Sequence, residues 1–200
     1  MPTTDPTRRA FLAAGAALAL APRAASAQAA DRATALVTRL AADFIAALKS
    51  AASPAALTRD FAAMLGRYGD MPVVAASVLG PPWRAASAAQ KQAFVPAFQT
   101  YLARKYGGQF AGYQNAAVEV VRAQDAGGKG VLVGTRVTRP GRQPIAVDWQ
   151  VSERSGQPKV VNLIIEGVSM LTNERAEVRA MLEASGGDLD KLIARMKAGS

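Results

Sequence analysis

The chain has 200 residues, half of them apolar and a fifth charged, the proportions of one or at most two ordinary globular domains. It contains no His and no Cys, which excludes thiolate and imidazole catalysis, a Cys/His zinc site and a disulfide framework. A formal charge of +9 and a pI near 10.4 call for an anionic partner or surface to be considered.

The chain opens on a targeting pattern. Thr7-Arg8-Arg9-Ala10-Phe11-Leu12 places twin arginines before an apolar run, Ala10 to Ala21, of twelve residues. About twenty are needed to span a bilayer, so the run suits the apolar centre of an export signal better than an anchor. Ala25-Ser26-Ala27 is a small-x-small cleavage site. The twin arginines read as a Tat-type signal over residues 1–27, with a Sec signal as the alternative. The mature domain is then 28–200, with 21 Lys and Arg against 14 Asp and Glu. Its setting is periplasmic, where nucleic acid is not expected as a partner. About 170 residues can hold a fold by the core alone, since a chain of that size buries roughly 70% of its unfolded surface.

Four helices are predicted first. Asp31 to Ala51 carries Leu36, Val37, Leu40, Phe44, Ile45 and Leu48 on one helical face. Ser53-Pro54 caps and starts the next helix, with Leu57, Phe61, Met64 and Leu65, ended by Gly66 or Gly69. A short third helix runs from Asp70 through Val74 and Val78 to Gly80, and Pro81-Pro82 forbids its continuation. Ser87-Ala88-Ala89-Gln90 is a capping box opening a long fourth helix with Phe94, Phe98, Tyr101, Leu102 and Tyr106. Pro96 should bend it near Gln92, and Gly107-Gly108 should weaken its end.

From about Ala116 the apolar period changes to two. Val118 and Val120 begin a strand. Val131 to Thr138 and Ile145 to Ser152 alternate, and Val160 to Ile165 is apolar enough for a strand covered on both faces. Turns at 127–130, 140–144 and 155–156 make a four-stranded (or slightly larger) antiparallel meander. Helices at 172–184 and 188–196 close the chain. The order gives an α+β fold, a twisted meander covered by N-terminal and C-terminal helices in an NTF2-like layout.

Nine of the eleven aromatic residues after the signal lie between Phe61 and Tyr113. The helical half supplies rings, and the sheet supplies Val, Ile, Leu and Trp149. An ordinary core is one reading. The other is an apolar pocket where the layers fail to close, which alanine-rich helices favour because small side chains fill space poorly.

Three stretches resemble a known family. They are Tyr68-Gly69-Asp70-Met71 through Val78-Leu79-Gly80-Pro81-Pro82-Trp83-Arg84, then Ser87-Ala88-Ala89-Gln90-Lys91-Gln92-Ala93-Phe94 with Phe98, Leu102 and Tyr106, and Ile165-Glu166-Gly167-Val168-Ser169-Met170 with Asn173-Glu174-Arg175. In this order and exported context they resemble the MlaC/Ttg2 family of periplasmic phospholipid-binding, toluene-tolerance proteins, over residues 31 to 197. The resemblance implies a monomeric carrier with acyl chains between sheet and helices and the head group outside. It implies an inner-membrane ABC transporter with an MCE-domain subunit and an outer-membrane lipoprotein complex as partners. A branch of the family is associated with hopanoid export. The chain departs from the family pattern at Pro158 to Leu163, where a Trp is missing and Asn162 replaces an acid. It departs again at Glu174, where Tyr is more usual.

This reading calls for no catalytic residue, no metal and no cofactor. The expected lipid-binding residues are Val74, Val78, Phe94, Phe98, Tyr101 and Leu102 on helices, and Val133, Val147, Trp149, Leu163 and Ile165 on strands. Arg84 is expected at the head group or mouth, and Arg175 first in a structural ion pair with Glu166 and second at the head group or mouth. Arg84, Lys91, Arg104 and Lys105 are placed to attract a phosphate or an anionic membrane surface, unless they form only a solvated face. Two rivals stay open: an NTF2-like enzyme using a pocket carboxylate, for which Asp148 and Glu166 are the strand acids, and an envelope adaptor with a filled interior.

Overall fold

The structure, a computed structural model, describes residues 21–110 and 112–199. The twin-arginine segment and its apolar run up to residue 20 lie outside them. The elements follow the predicted order. Helix α1 spans Ala21–Ser50, α2 Pro54–Tyr68, α3 Met71–Leu79, α4 Pro81–Ala85 and α5 Ala88–Gly107. Strands β1 Ala117–Asp125, β2 Val131–Arg139, β3 Arg142–Ser152, β4 Lys159–Ile165 and β5 Val168–Ser169 come next, then α6 Met170–Ala184 and α7 Leu189–Ala198.

Local chemistry explains most boundaries. The Ala56 amide donates to Ser53 Oγ at 3.1 Å, and Pro54 fills a first-turn position where its missing N–H costs nothing. Asp70 Oδ1 accepts from the Val73 amide at 3.3 Å to start α3. Ser87 and Gln90 form the reciprocal box, at 3.1 and 3.0 Å. Two boundaries differ from expectation. Helix α1 starts ten residues earlier than Asp31, because its Ala-rich entry is a good helix former. Pro81-Pro82 ends α3 but also opens α4: Gly80 takes φ 67°, which breaks the helix, and proline then suits the next first turn. Helix α5 runs through Pro96 without interruption.

The sheet is a five-stranded antiparallel meander in the order β1-β2-β3-β4-β5. The fifth strand, of two residues, follows a tight turn at Glu166-Gly167, whose φ values of 48° and 80° mark a type I′ hairpin. Gly69 bridges to Val160, and the Asp70 amide donates to the Val160 carbonyl at 2.9 Å, so the start of α3 is stitched to the sheet. No described helix is long and apolar enough to cross a membrane.

The buried residues form two separate clusters. In one, Phe94, Phe98 and Leu102 of α5 meet Ala75 and Val78 of α3, Val178 of α6, and Leu192 and Met196 of α7. In the other, Ala33 and Val37 of α1 lie on Val131, Val133 and Val151 of the sheet. Phe94 is fully buried, its ring stacked 5.8 Å from Phe98 and tilted against Trp83. Phe94→Ala is therefore expected to cost about 3–5 kcal/mol of stability. Urea unfolding with an unchanged slope would show this, and a loss under about 1 kcal/mol would contradict it.

Candidate functional site

Because the two clusters do not join, a cavity of about 620 Å³ remains between them. Sites for small organic ligands run roughly 300–1,000 Å³, so the volume is that of a ligand site rather than a packing flaw. Each element contributes the face its periodicity turns inward. Helix α1 supplies Leu40, Ala41, Phe44 and Ile45, and α2 supplies Phe61, Met64, Leu65 and Tyr68. From α3 come Met71, Val74 and Val78, and from α5 Phe98, Leu102 and Tyr106. On the sheet, register places Val137 beside Ile145, Val147 beside Ile165 and Trp149 beside Leu163, all on the cavity face. The wall is apolar almost throughout. Its one carboxylate among the described residues is Glu174.

Of the residues expected to bind lipid, Val74, Val78, Phe98, Leu102, Val147, Trp149, Leu163 and Ile165 come together on this wall. Phe94, Tyr101 and Val133 do not. Phe94 turns into the sealed helical core, one turn from Phe98. Val133 is fully covered by Ala33 and Val37 of α1. Tyr101 points toward α6, where its hydroxyl donates to Glu177 Oε2 at 2.8 Å. Arg84 is exposed on α4, away from the wall. Arg175 does not pair with Glu166. Its Nε donates to the Ser77 carbonyl at 2.9 Å, tying α6 to α3, while Glu166 accepts from the Ala146 amide.

The missed wall residues include those of α1 and α2, the ring set at the entry to the sheet, and Met71, Tyr106, Val137 and Ile145. Phe44, Phe61, Phe110 and Tyr113 interlock, with Phe44 and Phe110 edge-on at 4.8 Å and Phe61 and Phe110 at 5.2 Å. The uneven distribution of aromatic residues was the signal for them. Tyr68 and Arg67 both bond Asp43 Oδ2, fastening α2 to α1. Burial first, and then that carboxylate, push the Tyr68 hydroxyl above its ordinary pKa.

The departures from the family pattern have local partners. Asn162 Oδ1 accepts from the Leu171 amide at 3.0 Å, and its side chain exchanges hydrogen bonds with Ser169 Oγ, so it pins the first turn of α6 to β4. Glu174 is 4% exposed. Its Oε1 meets Lys105 Nζ at 2.6 Å and accepts from Tyr106, and Lys105 also reaches Glu177 at 2.5 Å. Burial opposes the charge on Lys105, but the bonds to Glu174 and Glu177 outweigh it and raise its pKa. Burial, then the bond to Glu174, push Tyr106 up to about 12. Both shifts are upward, so their stabilisation is complete below the ordinary values and fades as pH rises. For Tyr106 the window runs from 10.0 to about 12. The melting temperature of the wild type should exceed that of Tyr106→Phe up to pH 10.0, and the gap should close toward about 12. A gap constant across that range would refute the assignment.

The strand acids of the enzyme alternative are not on the wall. Asp148 bonds Arg122 at 2.7 Å and Glu166 sits in the turn, so no two carboxylates of the described residues meet in the cavity.

A family model described as "MlaC protein" matches residues 17–198. The chain belongs to the MlaC family. Among curated relatives it is 28% identical to "Toluene tolerance protein ttg2D" of Pseudomonas putida, over 65% of this chain and 61% of that one. It is 26% identical to the "Intermembrane phospholipid transport system binding protein MlaC" of Haemophilus influenzae, over 65% of this chain and 62% of that one. The chain thus spans about three fifths of the length of these relatives. Its fold matches a phospholipid-binding protein from Ralstonia solanacearum, solved in complex with a phospholipid, with a TM-score of 0.71 and 20% identity, over 84% of this chain and 96% of that one.

Proposed function

We propose that this chain is a phospholipid carrier whose acyl-chain site is the cavity between the α1–α3, α5 and sheet layers. The observation that carries the reading is the apolar 620 Å³ space itself, present in a chain of the MlaC family. The name of the Haemophilus influenzae relative and the phospholipid held by the structural neighbour support it. On this reading Val74, Val78, Phe98, Leu102, Val147, Trp149, Leu163 and Ile165 contact the tails, joined by Phe44, Phe61 and Met64.

The energetics suit a shuttle. Burying one CH₂ is worth about 0.8 kcal/mol, so a 16-carbon chain gains on the order of 13 kcal/mol against water. Against a bilayer, where the chain is already dry, the net is near zero. Lipid can then exchange with membranes or partner proteins without a deep trap on either side. No covalent step is required, which fits a chain without His or Cys.

The wider reading is an exported, periplasmic monomer that works between an inner-membrane ABC transporter bearing an MCE-domain subunit and an outer-membrane lipoprotein complex. Cleavage after Ala27 would remove the start of α1 and its Ser26–Asp125 bond. The Arg32–Glu153 pair at 2.8 Å and the Ala33 and Val37 contacts would remain to hold α1 on the sheet.

Native mass spectrometry of the mature chain, purified from a bacterial envelope, tests the proposal. Adducts with phospholipid masses that vanish on denaturation are expected. A ligand-free spectrum that vesicles of phosphatidylethanolamine and phosphatidylglycerol cannot change would overturn it.

A further inference from the structure

The tails account for the cavity but not for the charge that lies behind its Tyr113 wall. Strand β2 ends at Arg139, before the Pro140-Gly141 turn. The Arg139 guanidinium carbon lies 4.2 Å from the centre of the Tyr113 ring. That ring is part of the cavity wall and meets Phe110 edge-on at 5.9 Å. Val137, two residues before Arg139, and Ile145, paired with Val137 across the turn, are also wall residues.

Arg139 is half-buried, and its Nε is sealed from solvent without a hydrogen-bond partner. No carboxylate among the described residues pairs with it. Arg32, Arg67, Arg122, Arg136 and Arg179 each have an acid. Arg104, Arg154 and Arg175 each donate to a backbone carbonyl. Withdrawing a cation from water is costly unless a counter-charge meets it. Arg142, the Cα partner of Arg139 across the turn, adds a second positive charge at the same end.

We infer that Arg139 is an anion site at the Tyr113 end of the cavity and takes the phosphate of a lipid whose tails fill the apolar space. The inference rests on the carrier reading and adds the group that selects the cargo. A guanidinium presents paired N–H donors in one plane, which matches two phosphate oxygens. Tyr113 holds that plane by a cation–π contact. Free phosphate offers the same oxygens. The adjoining apolar wall is what ties the site to a lipid.

The experiment incubates the protein with excess vesicles holding phosphatidylglycerol and diacylglycerol of identical acyl chains in equal amounts, then weighs the bound lipid by mass spectrometry. The wild type should prefer the phosphate-bearing lipid by about tenfold, the size of one charge-assisted hydrogen bond. Arg139→Gln should bind the two within about twofold while still carrying diacylglycerol. If that variant does not fold, Arg139→Lys keeps the stem and charge and should lose most of the preference, because it lacks the planar fork. An unselective wild type, or a variant that keeps full selectivity, overturns the Arg139 site and leaves the carrier standing. A wild type that takes up neither lipid overturns the carrier itself. Inorganic phosphate alone should not raise the melting temperature. A rise in the wild type that Arg139→Gln abolishes would make this a free-phosphate site and overturn the lipid assignment.

Discussion

Val147→Trp is expected to give a folded protein that has lost its lipid. Val147 sits at the middle of the sheet, between Thr135 of β2 and Ile165 of β4, and is 5% exposed on the cavity wall. A larger side chain there has empty volume to grow into, so the usual cost of overfilling a core does not apply. The indole instead takes the room of the tails. Displacing three methylenes costs about 2.4 kcal/mol of binding, on the order of 50-fold in retention. Val121→Trp, on the exposed edge strand β1, is the control and should keep its lipid. A lipid content in Val147→Trp equal to that of the wild type would mean that the tails lie elsewhere.

Lys105→Met is expected to destabilise the protein by about 3–5 kcal/mol, the cost of breaking a buried ion pair from one side. The loss comes from Glu174, which would keep its buried carboxylate with only Tyr106 to satisfy it. Its Oε2 has no partner even in the intact protein. Glu177 is half exposed and adds little. Removing both charges, as Lys105→Met with Glu174→Met, should recover most of the loss, because an apolar pair of similar volume does as well as a buried ion pair. Urea unfolding of the two single variants and the double variant measures this as a coupling energy. A single variant within 1 kcal/mol of the wild type would show that Glu174 is not left as an uncompensated buried charge. The cluster also explains how this chain accommodates a buried acid at position 174. Lys105 and Tyr106, one turn of α5 away from the wall residue Leu102, supply the donors.

The backbone plan was legible because its signals are local. Ser53-Pro54, Asp70 and the Ser87–Gln90 box each satisfy amides of their own helix, and alternation alone located β2 and β3. Two elements were not legible for the same reason. The turn before β5 uses Glu166 at positive φ, where Asn or Gly is the usual marker. Helix α4 begins with the prolines that stop α3, and a proline does not say on which side of it the helix lies.

The cavity wall was only half legible. A 3.6-residue stripe tells which face turns inward, not whether the opposite layer arrives to meet it. Phe94 and Phe98 share such a stripe and are both fully buried in the helical core, yet only Phe98 also lies along the cavity. Leu40, Phe44, Phe61 and Met64 read as core for the same reason. Long polar side chains were the least predictable. Arg175 could reach several partners, and the placement of α6 against α3 gave it the Ser77 carbonyl.

The most direct measurement uses a phospholipid with a photoreactive diazirine at the end of one acyl chain, bound to the protein and irradiated, with adducts mapped by peptide mass spectrometry. The account predicts adducts on cavity residues such as Met71, Val147, Trp149 and Leu163. Adducts on the exposed edge at Val121 and Arg122, with none on those four, would contradict it.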